Sequence, residues 1–174
     1  MHNALCLLRP EQIHVKEVLI MYTKLKDPGS AITHLIAMGG AVICAFPLLV
    51  KAVHSHNAIA VFAMAVFIGS MILLYAASSL YHSLDISAKI NLLFRRIDHA
   101  MIFVLIAGSY TPVCLLALPR SKGLPLLAFV WLVALAGIAL KIFIINCPHW
   151  ISSVMYIAMG WICILVFKPL VASL

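Results

Sequence analysis

The chain has 174 residues, of which 65% are hydrophobic and 10% charged, where an ordinary soluble domain is roughly 45–50% apolar and about 25% charged. Together with a mean hydropathy of +1.14, that composition excludes a water-soluble fold. In a membrane chain, a formal net charge of +7 belongs to the lysines and arginines that anchor and orient helices, so it speaks for topology and against nucleic acid as a partner.

Residues 1–30 form a polar head without the basic n-region, apolar run and small-residue cleavage site of a signal peptide. The first helix is therefore expected to insert itself. Met21 stands just before Lys24-Leu25-Lys26-Asp27-Pro28 and is a candidate start, with the residues upstream a mis-assigned extension. Asp27-Pro28-Gly29-Ser30 is a turn cluster ending in Ser30, a residue suited to cap a helix N-terminus. Residues 31–174 then read as an all-α, polytopic membrane helix bundle.

A hydrocarbon core about 30 Å thick needs roughly 20 apolar residues per helix, so five spans fit and seven do not. The first runs from Ala31 to Val50 and is closed by Lys51. The second, Ala58 to Tyr81, is the longest uncharged stretch and ends at Ser78-Ser79-Leu80-Tyr81-His82. Between it and the third, Ile86, Ile90, Leu93 and Ile97 recur at helical spacing with Lys89, Arg95 and Arg96 off the stripe. That pattern is either an amphipathic helix on the membrane surface or an extension of span three. The third span runs from Asp98 to Leu118 and is stopped by Pro119-Arg120; the fourth is Leu124 to Phe143, with Lys141 snorkelling near its end. Pro148 breaks the chain before the fifth, Trp150 to Phe167, and Lys168-Pro169 ends the pattern.

An N-terminus on the cytoplasmic side collects Arg9, Lys16, Lys24, Lys26, Lys89, Arg95, Arg96 and Lys141 inside, against Lys51, Arg120, Lys122 and Lys168 outside. The positive-inside rule selects that orientation. The cysteines, Cys6, Cys44, Cys114, Cys147 and Cys163, are scattered without a C-x-x-C pair and read as small packing residues. Pairs such as Ala65 with Gly69 permit close helix packing and identify no partner.

Ionisable residues inside a span are the best functional pointers, because each costs at least ~2.5–3.5 kcal/mol at the bilayer centre unless it faces a protected interior. His82 closes span two and Asp98 opens span three at the same end, so antiparallel helices bring them to similar depth. Ser78 lies four residues before His82 and Tyr75 seven, on the same helical face. Ser109, eleven residues after Asp98, returns to within roughly 20° of its face on the order of 16 Å deeper. The expectation is a polar pocket of Ser78, His82, Asp98 and His99 with Ser109 beneath it. Two readings are open: one interhelical hydrogen-bonded pair of His82 with Asp98, or a metal or catalytic pocket in which imidazole ligates and carboxylate orients water. His34 lines this pocket or snorkels at the interface. His99 points about 100° away from Asp98 and reads as a packing or headgroup contact. His54 and His56 fall on the outer loop, and His149 is an interfacial residue beside Trp150.

These residues also carry a family resemblance. Ser78-Ser79-Leu80-Tyr81-His82 resembles an S-x-x-x-H motif, and Arg96-Ile97-Asp98-His99-Ala100-Met101-Ile102-Phe103 with Ala107-Gly108-Ser109-Tyr110-Thr111-Pro112 looks like the signature of the hemolysin III family. That family is the bacterial branch of the superfamily holding the adiponectin and progestin receptors. Ala31-Ile32-Thr33-His34 resembles its first-span motif, and Trp131, Gly137, Lys141, Tyr156 and Met159-Gly160-Trp161 resemble its later spans. The resemblance implies a seven-helix bundle with a zinc ion near the cytoplasmic face held by three histidines. His82 matches one of them, and Asp98 matches the acidic residue that holds the zinc-bound water. The other two belong to an H-x-x-x-H pair on the seventh helix. No two histidines of this sequence are four apart, so the family's site is at best half present in this chain, which is expected to stop before the last two helices.

The functional expectation is an integral protein of the plasma membrane acting on membrane lipids. Its enzymatic form is a zinc-dependent hydrolase of lipid amide or ester bonds, with Zn(2+) on His82, Asp98 orienting the water and Ser78 assisting the carbonyl; this chain alone is expected to be inactive. The alternatives are a non-enzymatic regulator of lipid homeostasis and a pore-forming cytolysin. Spans one, four and five carry almost no mid-membrane polar residue, which favours a pocket over a pore. With two helices missing, the faces of spans two and three are expected to leave Asp98 exposed and to favour association with a second copy.

Overall fold

Hydrocarbon offers no hydrogen-bond partner, so a chain this apolar is restricted to helices that satisfy their own amides. The computed structural model describes residues 25–143, 149–164, 167 and 171, His149 by its backbone alone. The expectations for Met21, the polar head up to residue 24, Cys6, Cys147, Pro148, Lys168 and Pro169 lie outside the described residues. Among the described residues five helices follow one another: α1 (Pro28–His54), α2 (Ala58–Ser83), α3 (Ala88–Pro112), α4 (Arg120–Phe143) and α5 (His149–Trp161). A π-helical turn, Val113–Ala117, continues α3.

Local chemistry sets the boundaries. Pro28 occupies the first turn of α1, where its missing N–H and fixed φ are tolerated, and the N-cap is Asp27. The expected cap, Ser30, instead turns its hydroxyl back onto the Asp27 carboxylate, 2.8 Å away. At the other end His54 Nδ1 donates to the Val50 carbonyl at 2.8 Å, and the chain reverses through His56, whose φ of 51° is left-handed. Asn57 then caps α2, its Oδ1 accepting from Ile59 N at 3.0 Å.

Ser87 caps α3 by accepting from Ile90 N at 3.4 Å. The helix thus begins at Ala88 rather than Asp98, and the apolar stripe around Ile90 and Leu93 is an extension of span three, because no breaker lies between Ala88 and Asp98. At the far end Pro112 lacks an N–H, and Pro119 pushes Leu118 into extended backbone, φ −100° and ψ 149°. The Leu118 amide closes the wider turn onto Val113 O at 3.2 Å.

Among the described residues four runs are long and apolar enough to cross a membrane: Pro28–His54, Ala58–Ser83, Ala88–Ala117 and Arg120–Phe143. The fifth helix, expected over Trp150 to Phe167, has 13 residues, or about 20 Å of rise. Neighbours in sequence pack antiparallel: the Asp27 amide meets the His82 carbonyl at 2.9 Å, and Arg96 Nη1 meets the Ile142 carbonyl at 3.4 Å. The end at which α1 starts, α2 ends, α3 starts and α4 ends is called the basal end below.

The third helix sits in the middle, against α2, α4 and α5. Its Phe103, Ala107, Tyr110 and Cys114 form the core with Val130 and Ala134 of α4 and Met159 of α5. Glycine makes this close approach possible. A Cβ on Gly137 would run into the Phe103 ring, and one on Gly108 would run into the Ser70 side chain, whereas Gly69 faces open space. By contrast α1 buries only Ala31, Ala41 and Ala52 and turns Leu35, Ile36, Ile43 and Phe46 outward.

Gly137→Ala is expected to lower the thermal midpoint of the detergent-solubilised protein, since overpacking typically costs about 1–3 kcal/mol. Gly69→Ala should stay within about 0.5 kcal/mol of the parent. Equal midpoints for the two variants would show that the Phe103–Gly137 contact does not hold the core.

Candidate functional site

At the basal end two polar groupings lie on opposite sides of α2 and α3. The first joins α1 to α2 around His82, whose side chain is 21% exposed. Its Nδ1 lies 3.2 Å from Asp27 Oδ2. Its ring stacks on His34 of α1, with centroids 5.8 Å apart and planes at 13°. His34 also meets the Tyr75 ring at 5.9 Å, so Tyr75 and His82, seven residues apart on one face of α2, both address the same α1 histidine.

Tyr81 extends the corner, edge-on to His82 at 4.8 Å and beneath the Lys26 ammonium, which stands 3.8 Å from its centroid. The residues just ahead of α1 are thereby fastened to the last turn of α2 through a cation–π contact, a carboxylate–imidazole contact and a backbone hydrogen bond. That hydrogen bond, from Asp27 N to His82 O, uses one of the carbonyls that a helix end leaves without an intrahelical donor. The Ser30 hydroxyl, donating to Asp27, holds that carboxyl below its usual value, and His82 adds to the effect.

The second grouping surrounds Asp98, which is 8% exposed. The expectation that Asp98 is left open is corrected: α3 runs between α2 and α4 and is covered there. Asp98 Oδ2 lies 3.6 Å from His99 Nδ1, and that nitrogen also donates to the Arg95 carbonyl at 2.7 Å. From α5, the Tyr156 hydroxyl donates to the His99 carbonyl at 2.8 Å. Lys141, expected to snorkel, is 8% exposed and stands within electrostatic reach of His99. The first half of α3 runs beside it, Arg96 being bonded to the neighbouring Ile142 carbonyl.

The sequence expectations are therefore brought together only in part. His82 and Asp98 are at the same end, but His82 takes its partners from α1 and Asp98 takes His99, and no hydrogen bond or ion pair joins the two. Ser78 is buried on α2, and its neighbour Ser79 has a buried hydroxyl without a hydrogen-bond partner among the described residues. Ser109 does not lie beneath the His82 pocket. Its hydroxyl donates to the Ile106 carbonyl at 2.7 Å, and it borders a separate apolar cavity of about 400 Å³ between α3 and α5. Tyr110 spans the wall of that cavity to donate to Met159 O at 2.8 Å. Asp27 was missed as a site residue because the turn cluster explains it completely in the sequence.

Zinc, which the resemblance implies, generally takes three protein ligands. Among the described residues no group of three His, Cys, Asp or Glu side chains could hold a metal ion. His82 has a ring nitrogen to offer, but its neighbours are a carboxylate already bonded to Ser30 and an imidazole stacked face to face. The described residues do not fit a zinc centre.

Comparison with known proteins agrees with the membrane architecture. The family profile described as Haemolysin-III related matches residues 22–174. A Hemolysin-3 homolog of Bacillus subtilis (strain 168) is 38% identical over 154 residues, covering 88% of this chain and 72% of the relative. Hemolysin-3 of Bacillus cereus is 40% identical over 152 residues, covering 86% of this chain and 68% of the relative. No solved structure matches the chain.

Tyr156→Phe should lower stability by about 0.5–1.5 kcal/mol, the usual net value of a lost hydrogen bond. Thermal unfolding in detergent measures it, and an unchanged midpoint would show that α5 is not held to α3 through His99.

Proposed function

The chain belongs to the haemolysin-III family of multi-pass membrane proteins, and on that footing we propose that it is a non-enzymatic regulator of membrane lipid, working through His82 and the polar corner around it. The supporting observation is the way the two expected site residues are engaged. His82 faces Asp27 and His34, whereas Asp98 lies 3.6 Å from the ring of its own neighbour His99, and no hydrogen bond or ion pair joins His82 to Asp98 among the described residues. Hydrolysis would need His82 and Asp98 on one reacting centre. A corner that ties α1 to α2 at the membrane boundary is instead placed to respond to how lipid packs against α1.

The same reading places the basal end in the cytoplasm. Lys26, Lys89, Arg95, Arg96 and Lys141 are at that end, against Lys51, Arg120 and Lys122 at the other, and the positive-inside rule then sets the orientation.

A second reading is the zinc-dependent hydrolase of lipid amide or ester bonds, calling on His82, Asp98 and Ser78. Its support is that Ser78 and Asp98 are both buried on adjacent helices in the basal half of the bundle, Ser78 just over a turn from the end of α2 and Asp98 about three turns into α3. Pore formation, the activity in the relatives' names, has less support: the outward faces carry Ile36, Phe46, Phe62, Leu73 and Leu132, which suit lipid rather than a water-filled channel.

Metal analysis of the purified chain, paired with liposome assays, decides among these. The expected result is zinc far below stoichiometric, no release of lipid amide or ester products, and a change in the order of reconstituted membranes that His82→Ala abolishes. Stoichiometric zinc lost in His82→Ala, with lipid turnover lost in Asp98→Ala, would replace the regulator with the hydrolase. Leakage of small dyes from the same liposomes would establish the pore.

A further inference from the structure

The first half of α3 is cationic, and the described carboxylates do not answer it. Those carboxylates are Asp27, Asp85 and Asp98. Asp27 takes Ser30 and His82, Asp85 accepts from the Asn91 amide at 2.6 Å, and Asp98 lies beside His99. Among the described residues no carboxylate pairs with Lys89 or Arg96.

Helical spacing sets these two cations on one face. Lys89, Leu92, Leu93 and Arg96 stand at i, i+3, i+4 and i+7, so the leucines lie between the charges. Both leucines are exposed, as are Ile142 and Phe143 at the end of α4, where Arg96 Nη1 reaches the Ile142 carbonyl at 3.4 Å. That contact occupies one of the five N–H donors of a guanidinium. Two cations thus adjoin an apolar floor to which α3 and α4 both contribute.

Depth and helix polarity point the same way. The run Ala88–Ala117 has 30 residues, about 45 Å of helix, against a hydrocarbon core about 30 Å thick. With Arg120 marking the far boundary, roughly the first ten residues stand in the headgroup layer at the basal end. The first turn of α3 has no acidic residue and carries Lys89 instead, although a helix N-terminus favours an anion and repels a cation. An anion bound there relieves that repulsion and meets the dipole.

We infer that the face of Lys89, Leu92, Leu93 and Arg96 is a binding site for an anionic phospholipid of the leaflet at the basal end. Lys89 and Arg96 answer its phosphate, and its chains lie along the leucines, Ile142 and Phe143. Free phosphate would meet the cations and leave the leucines uncovered, whereas a lipid covers both. The site belongs to α3 and α4 rather than to the His82 corner, and it stands whether or not the regulator reading does.

The test titrates the full chain in detergent micelles with phosphatidylglycerol or phosphatidylcholine and counts retained lipid by native mass spectrometry. The parent should retain phosphatidylglycerol in preference to phosphatidylcholine, and inorganic phosphate should not displace it. Lys89→Gln and Arg96→Gln should each weaken retention about fivefold, and together about thirtyfold. A variant combining Ala88→Lys with Lys89→Ala keeps the net charge and moves the cation about 100° around the helix. It too should lose about fivefold. Both Lys89 variants alter exposed positions and should keep the parent's thermal midpoint.

Equal retention of the two lipids by the parent overturns the inference. Unchanged retention in the charge-shifted variant does so as well, because the field of the whole basal end, and no particular face, would then attract the lipid. Displacement by equimolar inorganic phosphate would reassign the cations to a free anion, and a dimer that dissociates in Lys89→Gln would reassign the face to a second copy; either result overturns the phospholipid.

Discussion

Hydrocarbon cannot answer a hydrogen bond, and this structure is organised by that single fact. A hydroxyl, imidazole or carboxylate along the spans is costly unless it finds its partner inside the protein, and among the described residues Ser79 is the buried hydroxyl that does not. Ser70, Ser109 and Thr111 each donate to a carbonyl one turn back on their own helix. Tyr110 and Tyr156 instead reach from one helix to another, each ending on a backbone carbonyl. These two phenols bracket α5 against α3 at two heights, and the packing of Met159 between them follows. A helix of 13 residues would have little apolar length of its own to hold it in place.

The third helix can meet these demands because it is approached closely on two sides. Gly108 lets Ser70 of α2 come up to its backbone, and Gly137 of α4 leaves room for Phe103. On the basal side of these contacts Asp98 is buried, with His99 beside it and Lys141 within electrostatic reach of His99. A carboxyl so placed is expensive in a membrane, and its place two residues after Arg96, which reaches the last turn of α4, limits the cost by keeping it away from the middle of the bundle. The corner at His82 solves the same problem differently. It borrows its partners from outside the span, from the residues that precede α1.

Much of this was legible in the sequence, and the limits of legibility have physical causes. Uncharged runs, prolines and caps located the long helices because desolvation acts on composition and length. Helical periodicity put Tyr75, Ser78 and His82 on adjoining faces, and antiparallel hairpins put His82 and Asp98 at one end. Periodicity cannot say which neighbouring helix a face meets. Hence His34 and Asp27, rather than Asp98, turned out to be the partners of His82. Asp27 was hidden because Asp-Pro-Gly-Ser is already accounted for as a turn, and a residue with one sufficient explanation draws no second one. Lys141 was hidden for the opposite reason: a lysine near a span end has a standard place at the interface, and only its burial in the fold shows that protein covers it.

The three alanines that are all α1 buries have a consequence for how this sequence can drift. Apart from His34 against Tyr75 and His82, a helix seated on Ala31, Ala41 and Ala52 meets its neighbour along a nearly featureless face. On the remaining surface the only requirement is solubility in lipid, which leucine, isoleucine, valine and phenylalanine meet about equally well. Among related chains, α1 should therefore exchange one apolar residue for another almost at random over most of its circumference. The three small positions and the Asp27 end should stand out as fixed points, so that a peripheral helix would carry its constraints in a handful of places.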